Sequence, residues 1–413
     1  MADDNSPPPI LQLTPLNPDF RADPHAIYRR LRESHGVYRD DMAGSNIITR
    51  YKIVRETLND RTMLRGPDKV DPPGPFTQRL VESFERDPET GESHTNSILL
   101  MDEPHHSRVR PPIAKALYAR AAKCKPLVDE IINEKFDAVE PKGGFDLLGE
   151  FAIPLPIDVI GAILGVDTER RAEFREWSEG VIQVLNPFRT PEQTKYLQRS
   201  GEAIRGYFES QIAARRTKPQ DDLITDVVQL QAAGAELTDA EIISNLIGLL
   251  VGGNLTTSDL IGNGVYALLT HPDELAKLKA DPSIAPQVVE EVLRYDGPVD
   301  ITARVTPRAM EIGGCPMKAR QSVITLLRSA NHDPEIFDNP DAFDVSRKPG
   351  PHVAFGGGSH ICIGAPLARI EAQAALSKLF QRFPNLRLAR PDEKPEKRTL
   401  PFFNGIQRLD VLI

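Results

Sequence analysis

The chain has 413 residues, with 50 Lys plus Arg against 59 Asp plus Glu, a formal charge of −9. An acidic chain with no basic run argues against nucleic acid and anionic membrane surfaces as partners. Hydrophobic residues at 40% and charged residues at 26% exclude a fibrous or disordered protein.

The 36 prolines suggest many helices joined by stiff connections. Three cysteines, Cys124, Cys315 and Cys362, form no C-x-x-C pair and no disulfide framework, which points to a reducing compartment. The start, Met1 to Pro9, is acidic and proline-rich, unlike a signal peptide. The most apolar stretch, 147–166, is broken by Glu150, Pro154, Pro156 and Asp158, short of the ~20 apolar residues a spanning helix needs. The expectation is a cytoplasmic, monomeric protein: a poorly ordered extension over 1–18, then one domain over 19–413.

In chain order, helical periodicity covers Pro24 to Ser34, Ile113 to Glu140, Thr168 to Val184, Pro191 to Arg216 and Asp239 to Leu269. Short β-branched pieces lie at Val37 to Arg39, Asn46 to Thr49, Ser322 to Leu326 and Leu409 to Ile413. The fold class is mainly α with small β-sheets. The helix after Thr238 opens with a capping box, Thr238-Asp-Ala-Glu241, and stops at His271-Pro272. Its middle carries Gly252 and Gly253, each costing about 1 kcal/mol relative to alanine. Close helix packing or a ligand on bare backbone must offset that cost.

The strongest chemical signal is Phe355-Gly-Gly-Gly-Ser-His-Ile-Cys362-Ile-Gly364. A glycine-rich loop there presents one cysteine just before a helix that starts near Pro366. A lone thiolate suits one axial position on a haem iron and not tetrahedral zinc.

This segment resembles the haem-binding loop of the cytochrome P450 family, F-x-x-G-x-x-x-C-x-G, at Phe355, Gly358, Cys362 and Gly364. Glu291-Val-Leu-Arg294 resembles the family's E-x-x-R, with Arg347 where its structural partner falls. Gly252-Gly253-Asn254-Leu255-Thr256-Thr257 is similar to the family's oxygen-side motif, where a local opening of the helix leaves room for dioxygen. Thr256 then serves oxygen activation. Leu255 stands where the family usually has an acid, and Asp259 is the nearest acidic residue. His106, Arg110, Arg304 and His360 match the residues that hold the haem propionates, although Pro111-Pro112 departs from the pattern and raises a kink beside Arg110.

What the resemblance implies is a single triangular haem-binding domain. Its cofactor is haem b (iron protoporphyrin IX), with dioxygen as co-substrate. Electrons would come from NAD(P)H through a ferredoxin reductase and a 2Fe–2S ferredoxin. The reaction would insert one oxygen atom into a C–H bond of a small hydrophobic substrate. By analogy, Val251, Leu255, Val299, Ile301, Phe402 and Phe403 line the substrate pocket, while 81–100 and 169–215 form a lid. A basic patch of Arg108, Lys115, Arg120, Lys123 and Arg369 would meet the electron donor. A peroxide-using or isomerising relative, and a non-catalytic haem sensor, share these motifs.

Overall fold

Residues 7–82, 85–86, 93–94 and 96–413 are described in the computed structural model. The expected lid at 81–100 therefore lies partly outside the described residues. The chain packs as two compact units, each assembled from three separate stretches. The chain passes repeatedly between the units, so composition gives no linker to mark the division.

The first unit takes the chain up to Thr95 with Glu290–Cys362 and Lys397–Asn404. Its four-stranded sheet runs Val37–Asp40, Ser45–Ile48, Ser322–Leu326, Ile301–Val305 across the sheet. The outer pairings are antiparallel and the central one is parallel, with Ile47 opposite Ile324 and Arg304 opposite Val323. The β-branched residues at these positions suit a pleated, half-buried surface. One face packs on Ile10, Leu13, Phe20, Tyr28 and Leu31. Within the stretch 1–18 expected as a poorly ordered extension, residues 10–13 form a 3-10 turn with Ile10 and Leu13 buried. Two large aliphatic side chains one turn apart are enough to anchor it.

The second unit comprises Asn96–Val289, Ile363–Glu396 and Gly405–Ile413. Its centre is the Asp239–Thr270 helix of 32 residues, roughly 48 Å long at 1.5 Å per residue. The capping box forms as expected: Thr238 Oγ1 accepts from Glu241 N at 3.2 Å, and Glu241 Oε2 accepts from Thr238 N at 2.9 Å. Pro154–Leu164, Pro191–Thr217 and Ala365–Arg382 pack against this helix. The single helix expected over 113–140 is two, His105–Ala121 and Lys125–Val139. Pro126 sits in the first turn of the second, where its missing N–H costs nothing, so it marks a start. No helix among the described residues is long and apolar enough to cross a membrane.

Candidate active site

The cysteine loop belongs to the first unit. A 3-10 turn spans Gly358–His360, and the Cys362 N–H donates to the Phe355 carbonyl at 2.9 Å, closing the loop on itself. Gly358 is required twice over. Its φ is +66°, and a Cβ there would run into the Leu58 carbonyl oxygen. The result is an exposed Cys362 thiol on a braced loop, with Phe355 and His360 half-buried beside it in the sequence. Gly364 is the N-cap of the Ala365–Arg382 helix. The other cysteines are unsuited to the same task. Cys124 is buried, its thiol pushed up to about 11 by burial and then by Glu371, and Cys315 is half-buried in a strand.

Elsewhere in the first unit, Glu291, Arg294 and Arg347 meet as the motif implied. Arg294 donates to both carboxylate oxygens of Glu291 at 2.8 Å and to the carbonyls of Asn331, Pro340 and Ala342 at 3.1, 2.7 and 2.9 Å. Arg347 reaches Glu291 Oε1 at 3.3 Å and the Asp338 carbonyl at 2.6 Å. Glu291 also accepts the Asp344 N–H at 3.0 Å. These bonds pin the irregular 338–347 segment, a structural task.

Arg304, also in the first unit, is buried. Its guanidinium donates to the Ala303 carbonyl at 2.9 Å and the Gly357 carbonyl at 3.4 Å, tying its strand to the cysteine loop. The apolar candidates of this unit lie on adjoining backbone: Val299 pairs with Phe403 in an antiparallel bridge, and Ile301 opens the next strand. Val299, Ile301 and Phe402 are half-buried and Phe403 is buried.

In the second unit, His106 and Arg110 lie one turn apart on the His105–Ala121 helix. Pro111 and Pro112 sit within that helix, which runs through them. His106 is buried, with Nδ1 3.6 Å from Glu103 Oε1. Burial and the nearby Arg110 charge hold its imidazole below the usual histidine range. At neutral pH it is therefore a neutral hydrogen-bonding group.

The Thr256 hydroxyl donates to the Gly252 carbonyl at 2.9 Å, the back-bond common to threonines within helices. The Asp239–Thr270 span reads as one continuous helix. The two glycines are not packing glycines. A methyl at Gly252 would meet nothing within 4 Å, and one at Gly253 would make ordinary contact with Ile160 at 3.5 Å. Gly252 thus leaves an exposed stretch of bare backbone. Val251, Leu255 and Thr257 are buried. So is Asp259, whose carboxyl fills the space a Cβ on Gly405 would need.

The basic patch is smaller than expected. Arg108 is bound by both oxygens of Glu241, and Arg120 by Asp226 at 2.5 Å. Lys115 and Lys123 are exposed, and Arg369 is half-buried. Sequence reasoning also missed a polar cluster in the first unit, formed by buried Asp300, Arg328 and Asn404 with half-buried Asp296 and Lys397. Its members are scattered over more than a hundred residues, and no motif joins them.

The family model for Cytochrome P450 matches residues 76–408. The chain is 36% identical over 400 residues to cytochrome P450 107B1 of Saccharopolyspora erythraea, covering 95% of each chain. It is 34% identical over 399 residues to 6-deoxyerythronolide B hydroxylase of the same organism, covering 95% of this chain and 96% of the relative. Among solved structures, that of P450BioI in complex with hexadec-9Z-enoic acid ligated acyl carrier protein matches with a TM-score of 0.86. The identity is 32%, over 96% of this chain and 99% of that one.

With an exposed loop cysteine, the buried Glu291–Arg294–Arg347 trio and these relatives, the chain belongs to the cytochrome P450 family. It is accordingly an oxygen-incorporating oxidoreductase, a haem-thiolate monooxygenase. In the first unit the residues present fit the haem: one exposed thiol on a braced turn and a buried guanidinium tied to the same loop.

Proposed function

We propose that this monooxygenase hydroxylates C–H bonds of an apolar organic substrate in the cytoplasm, acting as a monomer. Electrons pass from NAD(P)H through a ferredoxin reductase and a 2Fe–2S ferredoxin. The observation that carries the reading is Cys362, the one exposed thiol of three, set on a loop that Gly358 and the Phe355 carbonyl hold in place.

Haem b, when bound, supplies dioxygen activation and electron transfer. Cys362 would be its protein ligand, with Phe355 packing beside it and Arg304, His106, Arg110 and His360 binding the propionates. Thr256 would hold a proton at Oγ1, now shared with the Gly252 carbonyl. Gly252, Gly253 and Thr257 would keep that face of the helix clear and small. Leu255 can carry no proton, so delivery runs by another route. Substrate contact falls to Val299, Ile301, Phe402 and Phe403, and on the long helix to Val251 and Leu255. All six are apolar, which favours an apolar portion of the substrate at these contacts. Exposed Lys115 and Lys123 suit an acidic electron donor.

The test is product formed per NADH consumed, under labelled dioxygen, for wild type, Thr256→Ala and Leu255→Glu. Label in the product and a marked loss of coupling in Thr256→Ala are expected. Unlabelled product, or unchanged coupling, overturns the hydroxylase reading. A large gain in coupling with Leu255→Glu would instead favour the peroxide-using alternative, because Leu255 is what the chain has in place of an acid.

A further inference from the structure

The polar cluster missed in the sequence is bonded to the two segments that carry the apolar residues assigned to substrate contact in the first unit. Arg328 spans two carboxylates: Nη1 donates to Asp296 Oδ1 at 3.1 Å and Nη2 to Asp300 Oδ2 at 2.9 Å, with Nε 2.8 Å from Asp300 Oδ1. Asn404 continues the chain of bonds. Its Nδ2 donates to Asp296 Oδ1 at 2.6 Å and to the Gly297 carbonyl at 3.2 Å, and its Oδ1 accepts from Lys397 at 3.1 Å. Arg328 and Asp300 are buried, and the Phe20 and Tyr28 rings close over the guanidinium at 5.6 and 5.7 Å.

The backbone follows the same pairing. Asp300 N donates to the Phe402 carbonyl at 3.0 Å and Asn404 N to the Pro298 carbonyl at 2.9 Å, flanking the Val299–Phe403 bridge. Phe402 between them has φ +68°, a left-handed conformation that a bulky non-glycine residue keeps only where its surroundings impose it. Strain of that kind, held by a buried charge network, is a poor way to gain stability alone. Well-packed apolar residues would serve as well or better. What the network adds is a fixed geometry for two chain segments about a hundred residues apart.

We propose that Asp300, Arg328 and Asn404 are positioning residues for substrate selection. They clamp the 402–404 turn to the 298–301 segment, so that Val299, Ile301, Phe402 and Phe403 present one rigid apolar wall. The clamp acts through those side chains and touches no reacting atom. It rests on the pocket reading given above.

The experiment uses the haem-loaded protein and two azole probes followed by the Soret shift. Imidazole requires only access to the iron, whereas clotrimazole is bulky and also needs the wall. Asn404→Ala removes the tether without leaving Arg328 unpaired. It is expected to weaken clotrimazole about tenfold, the scale of one charge-assisted hydrogen bond lost from a positioned wall, while imidazole stays within about twofold. The isosteric Asp300→Asn still accepts from Arg328, keeps the variant set informative if Asn404→Ala folds poorly, and should move the clotrimazole-to-imidazole ratio in the same direction. If both variants leave that ratio unchanged while Phe402→Ala and Phe403→Ala raise it, the clamp is wrong and the pocket reading survives. If the phenylalanine variants and Val299→Ala also leave it unchanged, the pocket reading fails and the clamp goes with it.

Discussion

Replacing Glu291 by glutamine keeps the volume of the side chain and removes its charge. Arg294 is 2% exposed and Glu291 is 4% exposed, so the change leaves a guanidinium buried without its counter-charge. One of its two 2.8 Å bonds would then face an amide NH₂, donor against donor. The three carbonyls around Arg294 soften the loss without supplying charge. Breaking one side of a buried pair costs about 3–5 kcal/mol. At ~2.1 cal/mol/K of unfolding entropy per residue, a cooperative transition of the 413-residue chain moves by about 1 °C per kcal/mol. Glu291→Gln should therefore lower the midpoint by about 3–6 °C, and by more than that if the first unit unfolds alone. Arg347→Met is the control. It removes one 3.3 Å contact to Glu291 and bonds to nearby carbonyls, but leaves Glu291 paired with Arg294. About 1–2 kcal/mol is expected for that loss. The assay is thermal unfolding by far-ultraviolet circular dichroism, with haem absorbance recorded in parallel. A Glu291→Gln midpoint unchanged, or higher than that of Arg347→Met, would refute the claim that this trio holds the 338–347 segment.

Gly358→Ala forces a Cβ towards the Leu58 carbonyl at a φ of +66°, so the purified protein should carry much less haem per chain than wild type; full occupancy would contradict the account of the loop. Burial pushes the Asp300 carboxyl up to about 6, against the pull of Arg328. A carboxyl raised in the folded state binds protons that the unfolded chain has released. Its contribution is therefore greatest below about pH 4 and falls as pH rises towards about 6, by up to roughly 3 kcal/mol. The urea midpoint of Asp300→Asn should lack this component between pH 4 and 6 that wild type shows; parallel profiles would contradict it. Charge reversal at Lys115 and Lys123 together should slow reduction by an acidic ferredoxin at low salt and lose its effect at high salt. Equal slowing at both salt concentrations would mean the lysines act by some means other than charge.

Local chemistry made much of this legible. The long helix was visible because its start is written in four residues, Thr238 to Glu241, and both reciprocal bonds form. The Glu291–Arg294 pair is i,i+3 on one helix, so spacing alone brings the groups together. Its burial and its carbonyl partners came only with the fold. The break at Cys124-Lys125-Pro126 was readable in principle, since proline two residues into a helix is a start signal, but continuous periodicity on both sides hid it. The clamp was not readable at all. Asp296, Arg328 and Asn404 meet only after a sheet and a terminal turn have formed, and each alone looks like an ordinary surface residue. Nor could the basic patch be judged from charge alone, since Arg108 and Arg120 are committed to Glu241 and Asp226.

Carbon monoxide binding to the reduced protein tests the central claim most directly, comparing wild type with Cys362→Ser and Cys124→Ser. Burial keeps the Cys124 thiol protonated, so Cys124→Ser should show the same thiolate-type difference band as wild type. Cys362→Ser should lose that band altogether. A thiolate band that survives Cys362→Ser, or disappears in Cys124→Ser alone, would show that the exposed loop cysteine is not the haem ligand.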